Sequence, residues 1–151
     1  MIAHKAYFDG SHRESLSGCG FLIKLQNDVL FEYVKHEALP TPHVTEMRAL
    51  YYLLCGIKQL LEPGNKVKIY GDAKSVIEQI KGEVKVTKKY EEITNTVIEL
   101  YNELTDDYKI SLNWIPKKKN SEAHKIARRK QTNQVRLQNN ANTFADFDIA
   151  S

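Results

Sequence analysis

The chain has 151 residues, of which 42% are hydrophobic and 27% charged, and this composition is typical of one soluble globular domain. Its 22 Lys and Arg residues and 19 Asp and Glu residues give a formal net charge of +3, so the chain is mildly basic. No apolar run approaches transmembrane length and no signal-peptide core is visible, so we expect a cytoplasmic protein without a membrane partner. Its two cysteines, Cys19 and Cys55, are too few for a disulfide framework and lack zinc-ligand spacing.

The first part of the chain predicts three short strands. Residues 2–9 form the first strand and lead into a turn-rich segment over residues 10–15. The second strand runs from Gly18 to about Leu25, and the third runs from Val29 to Lys35 after a turn signal. Consecutive strands joined by short turns predict an antiparallel meander.

A long amphipathic helix follows these strands. Thr41 as N-cap and Pro42 in the first helical position predict its start, and the pattern ends near Leu61. The stripe that should face the core begins with Glu46, and its other seven members are apolar: Ala49, Leu50, Leu53, Leu54, Ile57, Leu60 and Leu61. A carboxylate in this stripe is costly unless it reaches a cleft, a partner or a metal, so Glu46 is a candidate for chemistry. The alternative is a first-turn acid that interacts with the helix dipole.

The second half of the chain predicts two strands and three helices. We place strands at 66–70 and 108–115, and helices at 73–80, at 87–104 and from Asn120, as N-cap, to about Thr132. The residues that follow are polar and compositionally biased. We therefore divide the chain into a folded domain over residues 1–132 and a loosely ordered tail over residues 133–151.

Two acids stand at the ends of predicted strands, Asp9 after the first and Asp72 after the fourth. A helix connects these strands, so they should run parallel with a right-handed crossover, and both acids should lie at the sheet edge where open α/β sheets bind ligands. Glu46 reaches this edge if its helix packs across the first strand. Taken alone, Asp9 also fits a strand-end turn, and Asp72 also fits a helix N-cap.

Five segments in this order resemble type 1 ribonuclease H of the ribonuclease H-like superfamily. They are Tyr7-Phe8-Asp9-Gly10-Ser11, Gly18-Cys19-Gly20-Phe21, Thr45-Glu46-Met47-Arg48-Ala49-Leu50, Ile69-Tyr70-Gly71-Asp72-Ala73, and Trp114-Ile115-Pro116 followed by Asn120-Ser121-Glu122-Ala123-His124-Lys125-Ile126-Ala127. The resemblance covers about residues 4–128. It implies an α/β fold, a five-stranded mixed sheet of order 3-2-1-4-5 flanked by helices, and we expect a monomer.

The resemblance also implies an endonuclease that hydrolyses the RNA strand of RNA–DNA hybrids and leaves 5′-phosphate and 3′-hydroxyl ends. It implies two divalent ions, Mg²⁺ or Mn²⁺, with Asp9 bridging them and Glu46 and Asp72 holding one each. The residue types agree independently, because hard cations prefer oxygen ligands and a two-metal site needs several anionic oxygens.

His124 stands where the family has its fourth active-site carboxylate. A histidine can bind a divalent ion but suits softer metals than Mg²⁺, and it removes one negative charge from the site. Two interpretations remain open: a metal ligand or substrate contact, and a first-turn histidine without function. The same substitution supports a second hypothesis, a weakened or inactive protein that binds hybrid or structured nucleic acid.

Nucleic-acid contacts are predicted around the acids and in a basic segment. Residues 117–130 contain seven Lys or Arg residues and a single acid, Glu122, which favours a surface that faces a polyanion through salt-sensitive phosphate contacts. The predicted contacts are Gly10, Ser11, His43, Thr45, Lys74, Lys117, Lys118 and Lys119. The alternative for His43, Lys74 and the basic segment is an ordinary solvated surface.

Overall fold

The computed structural model describes residues 2–129 and the backbone of two short segments, 134–136 and 144–146. The strands are β1 (His4–Ser11), β2 (Ser17–Leu25), β3 (Asp28–Glu37), β4 (Lys66–Gly71), β5 (Lys109–Trp114), β6 (Gln134–Arg136) and β7 (Phe144–Asp146). The helices are α1 (Pro42–Leu60), α2 (Lys74–Ile80), α3 (Glu91–Asp107) and α4 (Ser121–Ala127), with 3-10 turns at Lys88–Tyr90 and Lys117–Lys119.

The first five strands form one mixed sheet of order β3-β2-β1-β4-β5. β1 pairs antiparallel with β2, and β2 pairs antiparallel with β3, which gives the meander that the sequence predicts. The pairs β1–β4 and β4–β5 are parallel. The predicted five-stranded fold is therefore confirmed, and the ends of β1 and β4 lie at the same edge.

Helix α1 covers one side of this sheet. Its N-cap is Thr41, whose side chain accepts a hydrogen bond from the Val44 backbone N–H, and the helix ends before Leu61, whose backbone is extended. The apolar stripe of α1 packs with inward residues of β1, β2, β4 and β5 and with α2 and α3 into the main core. Helix α1 connects β3 to β4, and its first turn lies close to the end of β1.

Helix α4 packs on the other side of the sheet, where Ala123 and Ile126 contact Leu22 and Val34 in a second core. A Cβ atom added at Gly18 of β2 would lie 1.9 Å from the Ala127 carbonyl oxygen, so only glycine permits this close approach. The helix ends at Ala127 and not near Thr132 as predicted, because Arg128 already forms its C-cap.

Two further findings concern the ends of the fold. Strands β6 and β7 pair antiparallel in a separate two-stranded sheet. The prediction of a loosely ordered tail over residues 133–151 falls largely outside the described residues, and the proposed division of the chain remains a prediction. Within the described part of the chain, no helix has both the length and the apolar character needed to cross a membrane.

Candidate active site

The three acids singled out in the sequence meet at one edge of the sheet. Asp9 lies in β1 near its carboxyl end, Glu46 lies in the second turn of α1, and Asp72 directly follows β4. Each offers one carboxylate oxygen, and these three oxygens lie within 4.8 Å of one another. Asp9 is buried, and Glu46 and Asp72 are partly buried, so the cluster lies in a recess at the edge and not on an open surface.

Gly10 holds Glu46 in place. Its backbone N–H donates a hydrogen bond of 2.6 Å to Glu46 Oε1. A Cβ atom at position 10 would lie 2.8 Å from Thr45 backbone carbon, so glycine lets β1 approach the helix closely enough for this contact. The other carboxylate oxygen, Glu46 Oε2, is buried and has no hydrogen-bond partner among the described residues.

Asn120 holds Asp72, a role that the sequence analysis missed. The Asn120 side chain, which is 1% exposed, donates from Nδ2 to Asp72 Oδ2 at 3.1 Å and to the Phe8 carbonyl oxygen at 2.9 Å. Asn120 precedes α4 as predicted, but its side chain makes no capping hydrogen bond. Asp72 is likewise not a helix N-cap, since Ala73 occupies that position in α2. An asparagine directly before a short helix can either cap the helix or bind a distant residue such as Asp72, and the sequence motif does not distinguish the two roles.

His124 extends the cluster from α4. Its Nδ1 lies 2.9 Å from Asp9 Oδ2, and its Nε2 lies 3.4 Å from Nη1 of Arg128. His124 therefore lies beside the acids, and the close packing of α4 on β2 brings it there. In this arrangement His124 contacts one carboxylate of the cluster directly.

Crowding of carboxylates changes their proton affinity. Burial raises the pKa of Glu46 well above its ordinary value, and the nearby charge of Asp9 raises it further. Burial also raises the pKa of Asp9, with Asp72 adding to the effect and the His124 hydrogen bond opposing it. Ionised acids in such a cluster repel one another, so the site favours either a proton or a cation.

The loop after β1 is braced by a histidine that the sequence analysis did not select. Nδ1 of His12 lies 3.2 Å from Thr45 Oγ1 and 3.0 Å from Ser17 Oγ. Thr45 is completely buried, and its hydroxyl also donates to the Thr41 carbonyl oxygen. Thr45 and Ser11 are both predicted nucleic-acid contacts. The Thr45 side chain supports the loop and does not reach the surface, whereas Ser11 at the end of β1 remains partly exposed.

The other predicted nucleic-acid contacts lie around the cluster in different environments. Lys74 is exposed in the first turn of α2, and Lys117, Lys118 and Lys119 are exposed in the turn before α4. His43 stacks on the ring of Tyr90, with the two ring centroids 4.8 Å apart, and its Nε2 is buried. Its pKa is lowered by this burial, which favours the neutral ring. The lysines therefore face solvent, whereas His43 is packed between helical segments.

Several solved structures share the fold. The N-terminal RNase H domain of Rv2228c from Mycobacterium tuberculosis is 23% identical, with a TM-score of 0.71 over 84% of this chain and 91% of that one. RNase H1 from the halophilic archaeon Halobacterium salinarum is 19% identical, with a TM-score of 0.70 over 83% and 94%. LC11-RNase H1, solved in complex with an RNA/DNA hybrid, is 21% identical, with a TM-score of 0.69 over 82% and 92%.

The sequence comparison agrees with this structural likeness. No curated protein matches the chain. The family described as reverse transcriptase-like matches residues 7–130, which include all three acids, His124 and the elements that position them. The chain therefore belongs to the reverse transcriptase-like family, and it shares the fold of the RNase H proteins named above.

Proposed function

We propose that this protein is a metal-dependent endoribonuclease that hydrolyses the RNA strand of RNA–DNA hybrids. The observation that carries the proposal is the convergence of Asp9, Glu46 and Asp72, whose carboxylate oxygens lie within 4.8 Å of one another. The fold of LC11-RNase H1, which was solved with an RNA/DNA hybrid, supports the substrate class. Cleavage breaks the bond between phosphorus and the 3′-oxygen, so the products carry 5′-phosphate and 3′-hydroxyl ends.

The residues present fit a pair of hard divalent cations, Mg²⁺ or Mn²⁺. The donor set is rich in carboxylate oxygens, and the buried Glu46 Oε2 lacks a partner among the described residues, a cost that a cation relieves. Asp9, Glu46 and Asp72 would hold the ions. His124, whose ring nitrogens here face Asp9 and Arg128, would have to turn toward the ions to supply a fourth contact. When bound, such ions make a water molecule a strong nucleophile near neutral pH and offset charge on the leaving oxygen.

The chain's own residues prepare this site. Gly10 fixes one oxygen of Glu46, Asn120 fixes one oxygen of Asp72, and His124 fixes one oxygen of Asp9. Each carboxylate thus keeps a second oxygen for a ligand. This arrangement sets the orientation of the acids before substrate arrives, which reduces the cost of organising them during the reaction.

Binding of the substrate is assigned to residues around the cluster. The exposed Lys117, Lys118 and Lys119, together with Lys74, are placed to contact backbone phosphates, and these contacts fix position without reading sequence. Discrimination for RNA would come from contacts to 2′-hydroxyls and from the shape of the minor groove. Gly10 and Ser11, at the end of β1, lie next to Asp9 and are proposed to contact the cleaved strand.

The test is incubation with a labelled RNA–DNA hybrid, single-stranded RNA and duplex RNA, each in Mg²⁺, in Mn²⁺ and in EDTA. We expect cleavage of the RNA in the hybrid alone, loss of activity in EDTA, and no activity for Glu46→Gln. Cleavage by the Glu46→Gln variant at the wild-type rate would overturn the assignment of the site.

A second candidate is a protein that binds hybrid or structured nucleic acid without cutting it. The contact between His124 and Asp9 favours it, because His124 replaces a negative ligand and engages an oxygen of the central acid. In the same experiment, this candidate predicts retention of the hybrid in a gel-shift assay with intact RNA in both metals.

A further inference from the structure

One side of the sheet is only partly covered by helices. Side chains of β1, β4 and β5 that point toward α1 lie in the main core. On the opposite side, the seven-residue helix α4 packs against β1, β2 and β3. Within residues 2–129, alternate residues of β1, β4 and β5, together with Lys24 near the end of β2, therefore project from an open surface. We call its five lysines the lysine face: Lys5, Lys24, Lys66, Lys68 and Lys109.

Strand pairing places these lysines directly beside one another. Lys5 of β1 is opposite Lys24 of β2 on one side and opposite Lys68 of β4 on the other. Lys66 of β4 is opposite Lys109 of β5. Neighbouring strands are about 4.8 Å apart, and like charges directly opposite each other destabilise a sheet. The sheet therefore carries a repulsion that a bound anion would remove.

Acidic residues of the described chain neutralise little of this charge. Lys24 Nζ lies 3.0 Å from Glu122 Oε1, an ion pair at the border with α4. Within residues 2–129, the ion pairs and hydrogen bonds found involve no side chain of Lys5, Lys66, Lys68 or Lys109. Lys5, Lys66 and Lys109 are also exposed.

Aromatic rings stand next to the lysines. Tyr7 and Tyr70, which are opposite each other in the β1–β4 pair, stack with ring centroids 5.1 Å apart and an interplanar angle of 24°. Both rings are partly exposed, and Asn113 is opposite Tyr70 on the next strand. Aromatic side chains on an open sheet are a common platform for the bases of single-stranded nucleic acids.

The lysine face is continuous with the carboxylate edge, which is the edge of the sheet where Asp9, Glu46 and Asp72 meet. Asp9 and Asp72 follow Tyr7 and Tyr70 by two residues, so each acid lies one step beyond a tyrosine toward the edge. The exposed large apolar side chains within residues 2–129 are Ile2, Leu16, Val84 and Trp114. None of these four belongs to the open side of β1, β4 or β5. Within the described residues, the lysine face therefore offers charged and aromatic side chains but no exposed large apolar side chain for insertion into a bilayer.

We propose that the lysine face binds a single strand of nucleic acid that continues from the substrate held at the carboxylate edge. The proposal rests on the proposed function for the source of that strand, but its chemistry is independent: lysines for phosphates, and the tyrosine pair for bases or sugars. It extends the nucleic-acid surface from the edge of the sheet to its open side.

The test is the affinity of the Lys5→Gln/Lys68→Gln variant for a thymidine oligonucleotide of about 15 nucleotides, measured in EDTA over a range of salt. Each phosphate contact to a single strand contributes ~0.7 to the slope of log K against log salt, so we expect the slope to fall by about 1.4. The matched control is Lys58→Gln/Lys81→Gln, which removes the same charge from a lysine of α1 and a lysine directly after α2, which pair with Glu103 and Glu83. The control should keep the wild-type slope.

Three outcomes overturn the proposal. They are an unchanged slope in the Lys5→Gln/Lys68→Gln variant (the sheet variant), an equal fall of the slope in the control, and tight binding of the protein to anionic phospholipid vesicles but not to the oligonucleotide.

A parallel cleavage assay separates the two proposals. If blunt hybrid is cut equally by the sheet variant and the wild type, while a hybrid with a single-stranded extension loses affinity only in the variant, both proposals stand. If no hybrid is cut but the oligonucleotide slope falls, the lysine face stands and the nuclease does not. A poly-uridine oligonucleotide in the same assay shows whether the strand is DNA or RNA.

Discussion

His124 Nδ1 lies 2.9 Å from Asp9 Oδ2, so an imidazole, and not a carboxylate, lies beside this acid of the cluster. The carboxylate of Asp9 is 5% exposed and the imidazole is 35% exposed, so the contact joins a buried acid to a group at the rim of the site. The residue at position 124 therefore affects how much negative charge the cluster carries.

Substitution of His124 by aspartate should raise activity in Mg²⁺ by roughly ten-fold, because it restores an oxygen ligand and a negative charge. The measurement is the initial rate of hybrid cleavage. His124→Asn is the control, since it removes the imidazole without adding charge and should give no gain. Equal rates for wild type and His124→Asp, with the fold intact, would place His124 outside the metal site.

The wild-type protein should cleave the hybrid faster in Mn²⁺ than in Mg²⁺. A nitrogen donor at the fourth position suits the softer Mn²⁺ better than Mg²⁺. Initial rates at saturating concentrations of each ion test this. The His124→Asp variant should lose the preference, and a wild-type rate in Mg²⁺ equal to that in Mn²⁺ would contradict it.

Without metal, Glu46→Gln should stabilise the protein at neutral pH. Burial and the Asp9 charge raise the pKa of Glu46, so the folded state holds this proton more tightly than the unfolded state does. The favourable contribution of Glu46 is present below the pKa of an unfolded-state glutamate and is lost as pH rises through the raised value. The free energy of unfolding of Glu46→Gln should therefore exceed that of wild type by roughly 0.5–2 kcal/mol at pH values above the ordinary pKa of glutamate. This difference should vanish in acid.

Denaturant unfolding of both proteins in EDTA, at acidic and neutral pH, measures this difference. Addition of Mn²⁺ should raise the Tm of wild type more than that of Glu46→Gln, because the proposed ion site exists only in the folded protein and the variant lacks one anionic ligand. If the variant is instead less stable than wild type at neutral pH, Glu46 stabilises the fold, and its ionised form is not unfavourable in the metal-free site.

Asn120→Ala should lower both stability and turnover. The buried side chain of Asn120 connects the Phe8 carbonyl oxygen to Asp72, so its removal leaves these acceptors without a donor and costs about 1–3 kcal/mol of unfolding free energy. We expect kcat to fall by roughly ten-fold with little change in KM, since Asn120 orients an acid and does not bind substrate. Ser121→Ala, at an exposed neighbouring position, should leave both parameters unchanged. A rise in KM alone would instead assign Asn120 to substrate binding.

The triple substitution of Lys117, Lys118 and Lys119 by alanine should weaken hybrid binding and flatten its salt dependence. Removal of a lysine that contacts a duplex phosphate reduces the slope of log K against log salt by about 0.9. Lys58→Ala/Lys81→Ala, in which two lysines that pair with Glu103 and Glu83 are removed, is the control for loss of charge. The same slope in the triple variant as in wild type would make these lysines ordinary surface residues.

The amino-acid pattern alone identifies Glu46 but not the role of Asn120. The apolar stripe of α1 marks Glu46 because an acid breaks a 3.6-residue pattern, and this signal is local. Asn120 has no such signal, because its partners, Phe8 and Asp72, are 112 and 48 residues away along the chain. The sequence does not distinguish an asparagine that caps a helix from one that makes a long-range hydrogen bond, and tertiary packing decides between the two roles.

The order of strands and helices, the parallel pairing of β1 with β4 and the convergence of three acids all follow from the amino-acid pattern, since periodicity, turn chemistry and crossover handedness act along the chain. The surroundings of the acids and the content of the open sheet surface depend instead on packing. The contact of His124 with Asp9 requires that α4 pack closely on β2, and the lysine face requires one particular strand register. Both arise from pairing between segments far apart in the chain, and local pattern does not encode that pairing.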